Sequence, residues 1–169
     1  KIVEHGGIIL LDECDRSAAS PLLAINAALA NGYMSFPDKL VHRHKDCYVL
    51  AAANTYGFGG DANYVGAARL DGAFLDRFAA TVSWPYDEEL ERDISLDDGW
   101  TGVVQAIRKA VYDTGAKMII SPRASIAGGQ LLAGGCSRAE VVELVFGRYQ
   151  QHSAWSSLSR AAERWSNGR

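Results

Sequence analysis

The sequence predicts an α/β half followed by an all-helical half, and three observations lead to that expectation. Gly7-Ile8-Ile9-Leu10-Leu11 and Cys47-Tyr48-Val49-Leu50-Ala51-Ala52-Ala53 are runs without polar alternation. Such runs read as strands of a parallel sheet covered on both faces. Each run stops at polar residues, Asp12-Glu13 in the first case and Asn54 in the second. From Asp87 onward strand signals nearly vanish and apolar residues recur at helical spacing. The acidic Asp87-Glu88-Glu89 and Asp97-Asp98-Gly99 mark the change of character, so residues 1–86 and 87–169 are expected to be separate domains.

Bulk properties narrow the class. A chain of 169 residues, 48% hydrophobic and 22% charged, has the make-up of a soluble protein able to bury a core. The net charge of −3 and pI near 5.8 argue against a dominant nucleic-acid-binding face. Cys14, Cys47 and Cys136 are odd in number and lack metal-type spacing, which suits reduced thiols in a cytoplasmic protein. No apolar run has membrane-spanning length, and the start has no signal-peptide build. Lys1-Ile2-Val3-Glu4 leads almost directly into the first strand without a Met, as in the downstream part of a longer polypeptide.

Taken in order, the first strand delivers Asp12 and Glu13 to its C-terminal end, where open α/β sheets place ligands. Period two sends the two carboxylates to opposite sides of the strand. Asp15-Arg16-Ser17 is polar and cap-competent, and Ser20-Pro21 opens a helix with apolar residues at Leu22, Leu23, Ile25, Ala28 and Leu29. Asn31-Gly32 ends it. Tyr33 to Asp46, with Pro37-Asp38 as a turn, reads as a hairpin or loop. Its His42 and His44 are too few ligands for a metal and suit solvated strand positions. The second strand then brings Asn54 to the edge that holds Asp12 and Glu13. Gly57-Phe58-Gly59-Gly60-Asp61 matches no phosphate-cradling pattern and reads as a flexible connection.

Leu70 to Phe78 is expected as a short amphipathic helix bearing Arg77 near its end, and Ala80-Thr81-Val82-Ser83-Trp84 as a third strand closed by Pro85. Helices are then expected over 87–93, 100–114, 123–132, 137–150 and 153–165. Trp100, Val103, Val104, Ile107, Val111 and Tyr112 form a core stripe on the second of these. Trp155 and Trp165 suit either the core of this half or a neighbouring subunit.

In this order the motifs resemble those of AAA+ ATPases, within the branch of MoxR-type chaperones and chelatase-associated subunits. Leu11-Asp12-Glu13-Cys14-Asp15-Arg16 resembles its Walker B, Ala52-Ala53-Asn54-Thr55 its sensor 1, Leu70-Asp71 through Asp76-Arg77-Phe78 its arginine-finger segment, and Ser121-Pro122-Arg123-Ala124 its sensor 2. The stretch from Ala30 to Cys47 stands where that branch carries a hairpin. The resemblance covers nearly the whole chain. It implies a partial P-loop NTPase core followed by a helical lid, ATP and Mg²⁺ as ligands, and a homo-oligomeric ring, commonly a hexamer. It also implies a protein partner, often one with a von Willebrand A domain.

Chemistry gives each residue a role in phosphoanhydride hydrolysis, which rests on positioning and charge neutralisation. Asp12 suits Mg²⁺, directly or through water, and Glu13 suits activation of the attacking water. Asn54 can bond the water or the terminal phosphate, its amide being both donor and acceptor. Arg77 offers a permanently charged fork matched to phosphate, in this family across a subunit boundary. Arg123 in the lid would touch the γ-phosphate of its own subunit. Plainer roles stay open: Arg77 as an ion-pair partner of Asp76 or Glu88, Arg123 as the partner of a lid carboxylate. Arg16 and Arg69 are either inter-subunit contacts or solvated side chains.

One departure from the family is large. No Gly-x-x-x-x-Gly-Lys-Ser/Thr occurs in these residues, so the Walker A loop is absent. A strand that the family sheet places between the sensor 1 strand and the last strand is expected to be lacking too, leaving their inward edges unpaired. A chain of this kind should bind ATP poorly by itself. The leading expectation is an AAA+ motor subunit that remodels a partner protein. A non-hydrolysing AAA+-derived scaffold is the alternative, although it would need none of Glu13, Asn54, Arg77 and Arg123. A nucleic-acid-directed motor is disfavoured, because Lys39, His42, Arg43, His44 and Lys45 form only a small basic cluster offset by Asp38 and Asp46.

Overall fold

A computed structural model describes residues 1–17, 19–61 and 64–168. The chain divides into two compact units, Lys1–Val82 and Ser83–Arg169. The first is α/β with a small parallel sheet, and the second is helical.

The first unit opens with a single helical turn, α1 (Ile2–His5), where the sequence suggested an immediate entry into strand. It buries Val3 and ends at Gly6, whose N–H donates to the Ile2 carbonyl at 2.9 Å. Strand β1 (Gly7–Leu11) follows. Helix α2 (Ala19–Asn31) ends as expected before Gly32, which adopts φ 72°. The side chains of Ser20 and Pro21, expected to open it, lie outside the described residues. Strands β2 (Tyr33–Ser35) and β3 (Leu40–His42) pair antiparallel around the Pro37-Asp38 turn, which makes the hairpin. Strand β4 (Cys47–Ala51) lies parallel to β1, in register from Gly7 opposite Cys47 to Leu11 opposite Ala51.

Burial corrects the expectation of a sheet covered on both faces. Ile8 and Leu10 of β1 stand beside Tyr48 and Leu50 of β4, and all four are more than half exposed. The opposite face carries Ile9, Leu11, Cys47 and Val49, which are buried or half-buried. An uninterrupted apolar run was therefore a correct sign of a parallel strand and an incorrect sign of two-sided cover. Among the described residues this sheet has two strands, so each has a ladder partner on one side only.

Two further expectations change. Helix α3 (Gly72–Leu75) is one turn long, shorter than the 70–78 span, with Asp71 as its cap accepting from the Ala73 N–H at 3.0 Å. Residues 80–84 form no strand, because no backbone ladder reaches them. β-rich composition at Thr81-Val82 cannot make a strand without a neighbour to pair with. A small core of Cys14, Leu70 and Phe74, backed by Leu11, Leu22, Leu29, Leu75 and Phe78, joins the end of β1 to α2 and α3.

The second unit begins with α4 (Glu88–Ile94), whose Asp87 cap accepts from the N–H groups of Glu89 and Leu90 at 3.0 Å. Helix α5 (Asp98–Thr114) starts at Asp97, which accepts from the Trp100 N–H at 2.6 Å. It ends in a Schellman motif, with Gly115 at φ 65° and N–H bonds from Gly115 to Tyr112 and from Ala116 to Val111. Helix α6 (Pro122–Ala133) has Pro at its first position, and α7 (Arg138–Phe146) has a Ser137/Glu140 capping box. The expected 137–150 helix gives way to a 3₁₀ turn at Gly147–Tyr149. The expected 153–165 helix divides at Ser159 into α8 (Trp155–Leu158) and α9 (Arg160–Ser166), and the Ser159 hydroxyl donates to the Glu163 carboxylate at 2.6 Å.

The core of this unit is Trp100, Val103, Val104, Ile107 and Val111 of α5 against Val141, Phe146, Trp155, Leu158 and Ala162. Tyr112, placed in the stripe by sequence, is 86% exposed, since it lies one position beyond the inward row. Trp155 sits 5.5 Å from Phe146 and Trp165 sits 5.2 Å from Trp100, ring centre to ring centre, so both belong to this core. Among the described residues no helix is long and apolar enough to cross a membrane.

Candidate functional site

Parallel pairing brings the carboxyl ends of β1 and β4 to one edge of the sheet, with Asp12-Glu13 leaving one strand and Ala52-Ala53-Asn54 the other. Two backbone bonds continue the ladder past the strand ends: Ala52 N–H to the Leu11 carbonyl at 2.8 Å and Cys14 N–H to the Ala52 carbonyl at 3.0 Å. Asp12, Glu13 and Asn54 are all exposed there. Sequence correctly put this carboxylate pair and this amide together.

Their presentation differs from the expected period-two alternation, because β1 stops at Leu11 and the carboxylates occupy a turn. Glu13 adopts φ 48°, ψ 41°, and is the sole described non-glycine residue with positive φ. The Asp12 carboxylate accepts the Glu13 N–H at 2.9 Å, and the Glu13 carbonyl accepts from the Arg16 N–H at 2.8 Å. A left-handed glutamate costs about 1–2 kcal/mol, and such outliers gather where function demands a particular projection. Glycine at this position relieves that cost and adds about 0.5–1 kcal/mol of unfolded-state entropy. Glu13→Gly is therefore expected to stabilise the chain by about 0.5–1 kcal/mol. A lower midpoint in thermal unfolding would contradict it.

Asp15, read from sequence as a polar, cap-competent residue, is 0% exposed. Its Oδ2 accepts from the Thr55 N–H at 3.1 Å and from Thr55 Oγ1 at 2.9 Å, and its carbonyl accepts from the Ala68 N–H at 2.6 Å. Thr55 follows Asn54 directly, so this brace fixes the Glu13 turn and the Asn54 turn to one another. Oδ1 of Asp15 is buried without a hydrogen-bond partner among the described residues. Burial, with the neighbouring Asp15 charge, pushes the Cys14 thiol up, so it stays a protonated core residue. The polar Asp15-Arg16-Ser17 cluster gave no sign that its first member turns inward.

The other candidate side chains are not gathered there. The Arg77 guanidinium folds back onto the Ala73 carbonyl of α3, and among the described residues it forms no ion pair with Asp76. Arg16 and Arg69 are exposed, Arg16 beside Gly66 and Arg69 bridged through its backbone to Phe58. In the hairpin, Lys39 pairs with Glu4 at 3.0 Å and Arg43 donates to the Cys47 carbonyl, so part of the basic cluster is spent internally. No disulfide joins Cys14, Cys47 and Cys136.

Arg123 lies in the second unit, exposed in the first turn of α6, with no carboxylate paired to it among the described residues. Below it sits Glu91, missed by sequence because nothing separates it from its acidic neighbours Glu88 and Glu89. Glu91 is buried and accepts from Arg108 through both guanidinium arms, at 2.7 and 2.6 Å, from Ser125 Oγ and from Gln105 Nε2. Burial is the largest influence and by itself raises the Glu91 pKa. The bonds from Arg108 and Ser125, with the Arg108 charge and Gln105, together outweigh it and hold the carboxyl below its usual 4.5. A depressed folded-state pKa gives stability that is complete above 4.5 and lost as pH falls through the lowered value. Denaturant midpoints of the helical unit should thus fall below pH 4.5, and that part of the fall should vanish in Glu91→Gln.

No group of three or more His, Cys, Asp or Glu that could hold a metal occurs among the described residues. A Mg²⁺ ion takes one or two carboxylates and completes its shell with water and phosphate oxygens. Asp12 is an exposed carboxylate of that kind. Comparison with protein-family models, curated proteins and solved structures found no match to this chain.

Proposed function

We propose that the chain is part of an AAA+ ATPase subunit that couples ATP hydrolysis in an oligomeric ring to the remodelling of a partner protein. The observation that carries this reading is the braced sheet edge: Asp12 and Glu13 at the end of β1, Asn54 at the end of the adjacent parallel β4, and the Asp15–Thr55 bonds between them. One strand end supplies acid groups and the next a neutral amide, the set that metal-assisted attack of water on a phosphoanhydride requires. Bound Mg²⁺ would neutralise phosphate charge. Asp12 would hold it, Glu13 would orient the attacking water and take its proton, and Asn54 would fix that water or the terminal phosphate. The left-handed turn at Glu13 keeps its carboxylate on the exposed edge.

Arg77 and Arg123 are assigned to phosphate from a neighbouring subunit and from the same subunit respectively, and both are exposed. Engagement of Arg77 would break its bond to the Ala73 carbonyl. No phosphate-cradling motif occurs in these residues, so we assign the cradle to sequence outside them. The open strand edges and the bare Ile8, Leu10, Tyr48 and Leu50 face are surfaces that more of such a sheet would cover. The test is Mg²⁺-dependent ATP hydrolysis by the assembled protein. Activity lost on Glu13→Gln or on Asn54→Ala supports the reading, and activity indifferent to both removes these residues from it.

A further inference from the structure

Around Arg123, side chains from other elements hold three main-chain carbonyls and one side chain. The Ile119 carbonyl accepts from Tyr149 Oη at 2.6 Å, and the Ile120 carbonyl from Arg108 Nε at 2.7 Å. The Ala124 carbonyl accepts from Trp100 Nε1 at 2.9 Å, and Ser125 Oγ donates to Glu91. Glu91 and Arg108 grip each other bidentately, so the residue before the Ser121 cap and the residue two beyond Arg123 are tied to one buried ion pair. The Arg123 side chain itself is exposed.

From this bracketing we propose that Glu91, Arg108 and Ser125 are positioning residues for Arg123, forming a rigid mount that aims its guanidinium at the terminal phosphate of a nucleoside triphosphate. Pro122 at the first position already suits a helix start, whereas Ser121 before it makes no side-chain cap bond. Burying a charged pair beneath it costs desolvation that an apolar core avoids. What the pair adds is a fixed main chain under a free side chain, the arrangement that a precisely placed binding group needs. Because Glu91 lies on α4, the mount also ties the Arg123 turn to that helix, so a pull on Arg123 reaches α4 through Ser125.

The ligand half of this proposal rests on the ATPase reading, and the mount half does not. Ser125→Ala cuts one tie and leaves the ion pair in place, and Glu91→Gln keeps the shape of the second variant's side chain while removing its charge. Hydrogen exchange of the full chain is expected to quicken about tenfold or more at the amides of Ala124 to Ala127 in both variants, with Val141 on α7 unchanged. In the assembled ATPase, fluorescent ATP and ADP analogues are then compared. Arg123→Ala is expected to reduce the preference for ATP over ADP about tenfold, and Ser125→Ala to reduce it in the same sense without further loss when the two are combined. Unchanged exchange in both variants overturns the mount. Quicker exchange with an unchanged preference, where Arg123→Ala lowers it, overturns the positioning role. A wild-type assembly that binds neither analogue removes the ATPase reading, and the aim of Arg123 with it.

Discussion

Replacing Gly128 by alanine is expected to destabilise the helical unit by about 1–3 kcal/mol. Gly128 is buried in α6 where that helix crosses the indole of Trp100, and a Cβ there would overlap Nε1, Cε2 and Cζ2 of the ring. Trp100 has no room to retreat, because it is completely buried and in contact with Phe146 and Trp165 at centroid distances of 5.4 and 5.2 Å. Overpacking of this kind costs about 1–3 kcal/mol. Pushing α6 away also strains the bond from Trp100 Nε1 to the Ala124 carbonyl, worth about 1 kcal/mol. Helix propensity favours alanine by about 1 kcal/mol, which is too little to reverse the sign. Urea unfolding followed by tryptophan fluorescence reads the effect, and a midpoint equal to wild type would show that the helix crossing is looser than described.

Arg108→Met is expected to cost about 3–5 kcal/mol, because it leaves the Glu91 carboxylate buried without its countercharge. The Glu91 side chain is 0% exposed and that of Arg108 16%, so solvent can do little to compensate. The same substitution releases the Ile120 carbonyl and the contact of the guanidinium with the Tyr86 ring, 4.9 Å away. The double variant Glu91→Leu with Arg108→Met removes the stranded charge and should recover more than half of that loss. Additive losses in the double variant would mean that the pair itself, and not the unpaired charge, sets the stability.

Gly128 and Glu91 also show where the sequence was legible and where it was not. The helix stripe could be read directly: Trp100, Val103, Val104, Ile107 and Val111 are spaced for one face. The parallel strands were legible because an apolar run ending in a polar residue has few other readings. Burial of Ile8 and Leu10 was not, since it depends on what lies over the sheet and not on the run itself. The missing strand over 80–84 has the same origin, as strand formation needs a partner that local composition cannot reveal. Asp12, Glu13 and Asn54 could be named as candidates because each follows an apolar run that reads as a strand. Asp15 and Glu91 could not, because a carboxylate turned inward toward Thr55 or Arg108 looks in sequence like any solvated acid. Arg77 could be named as a candidate, whereas its fold-back onto Ala73 is a matter of rotamer.

The most direct measurement is Mg²⁺-dependent ATP turnover by the open reading frame that contains this chain, beside the chain alone, each with and without Glu13→Gln. The account predicts turnover by the longer protein, loss of about two orders of magnitude or more on Glu13→Gln with nucleotide binding retained, and no turnover by these residues alone. A longer protein that binds ATP but hydrolyses none, with or without the substitution, would contradict the motor and leave a scaffold built on the same fold.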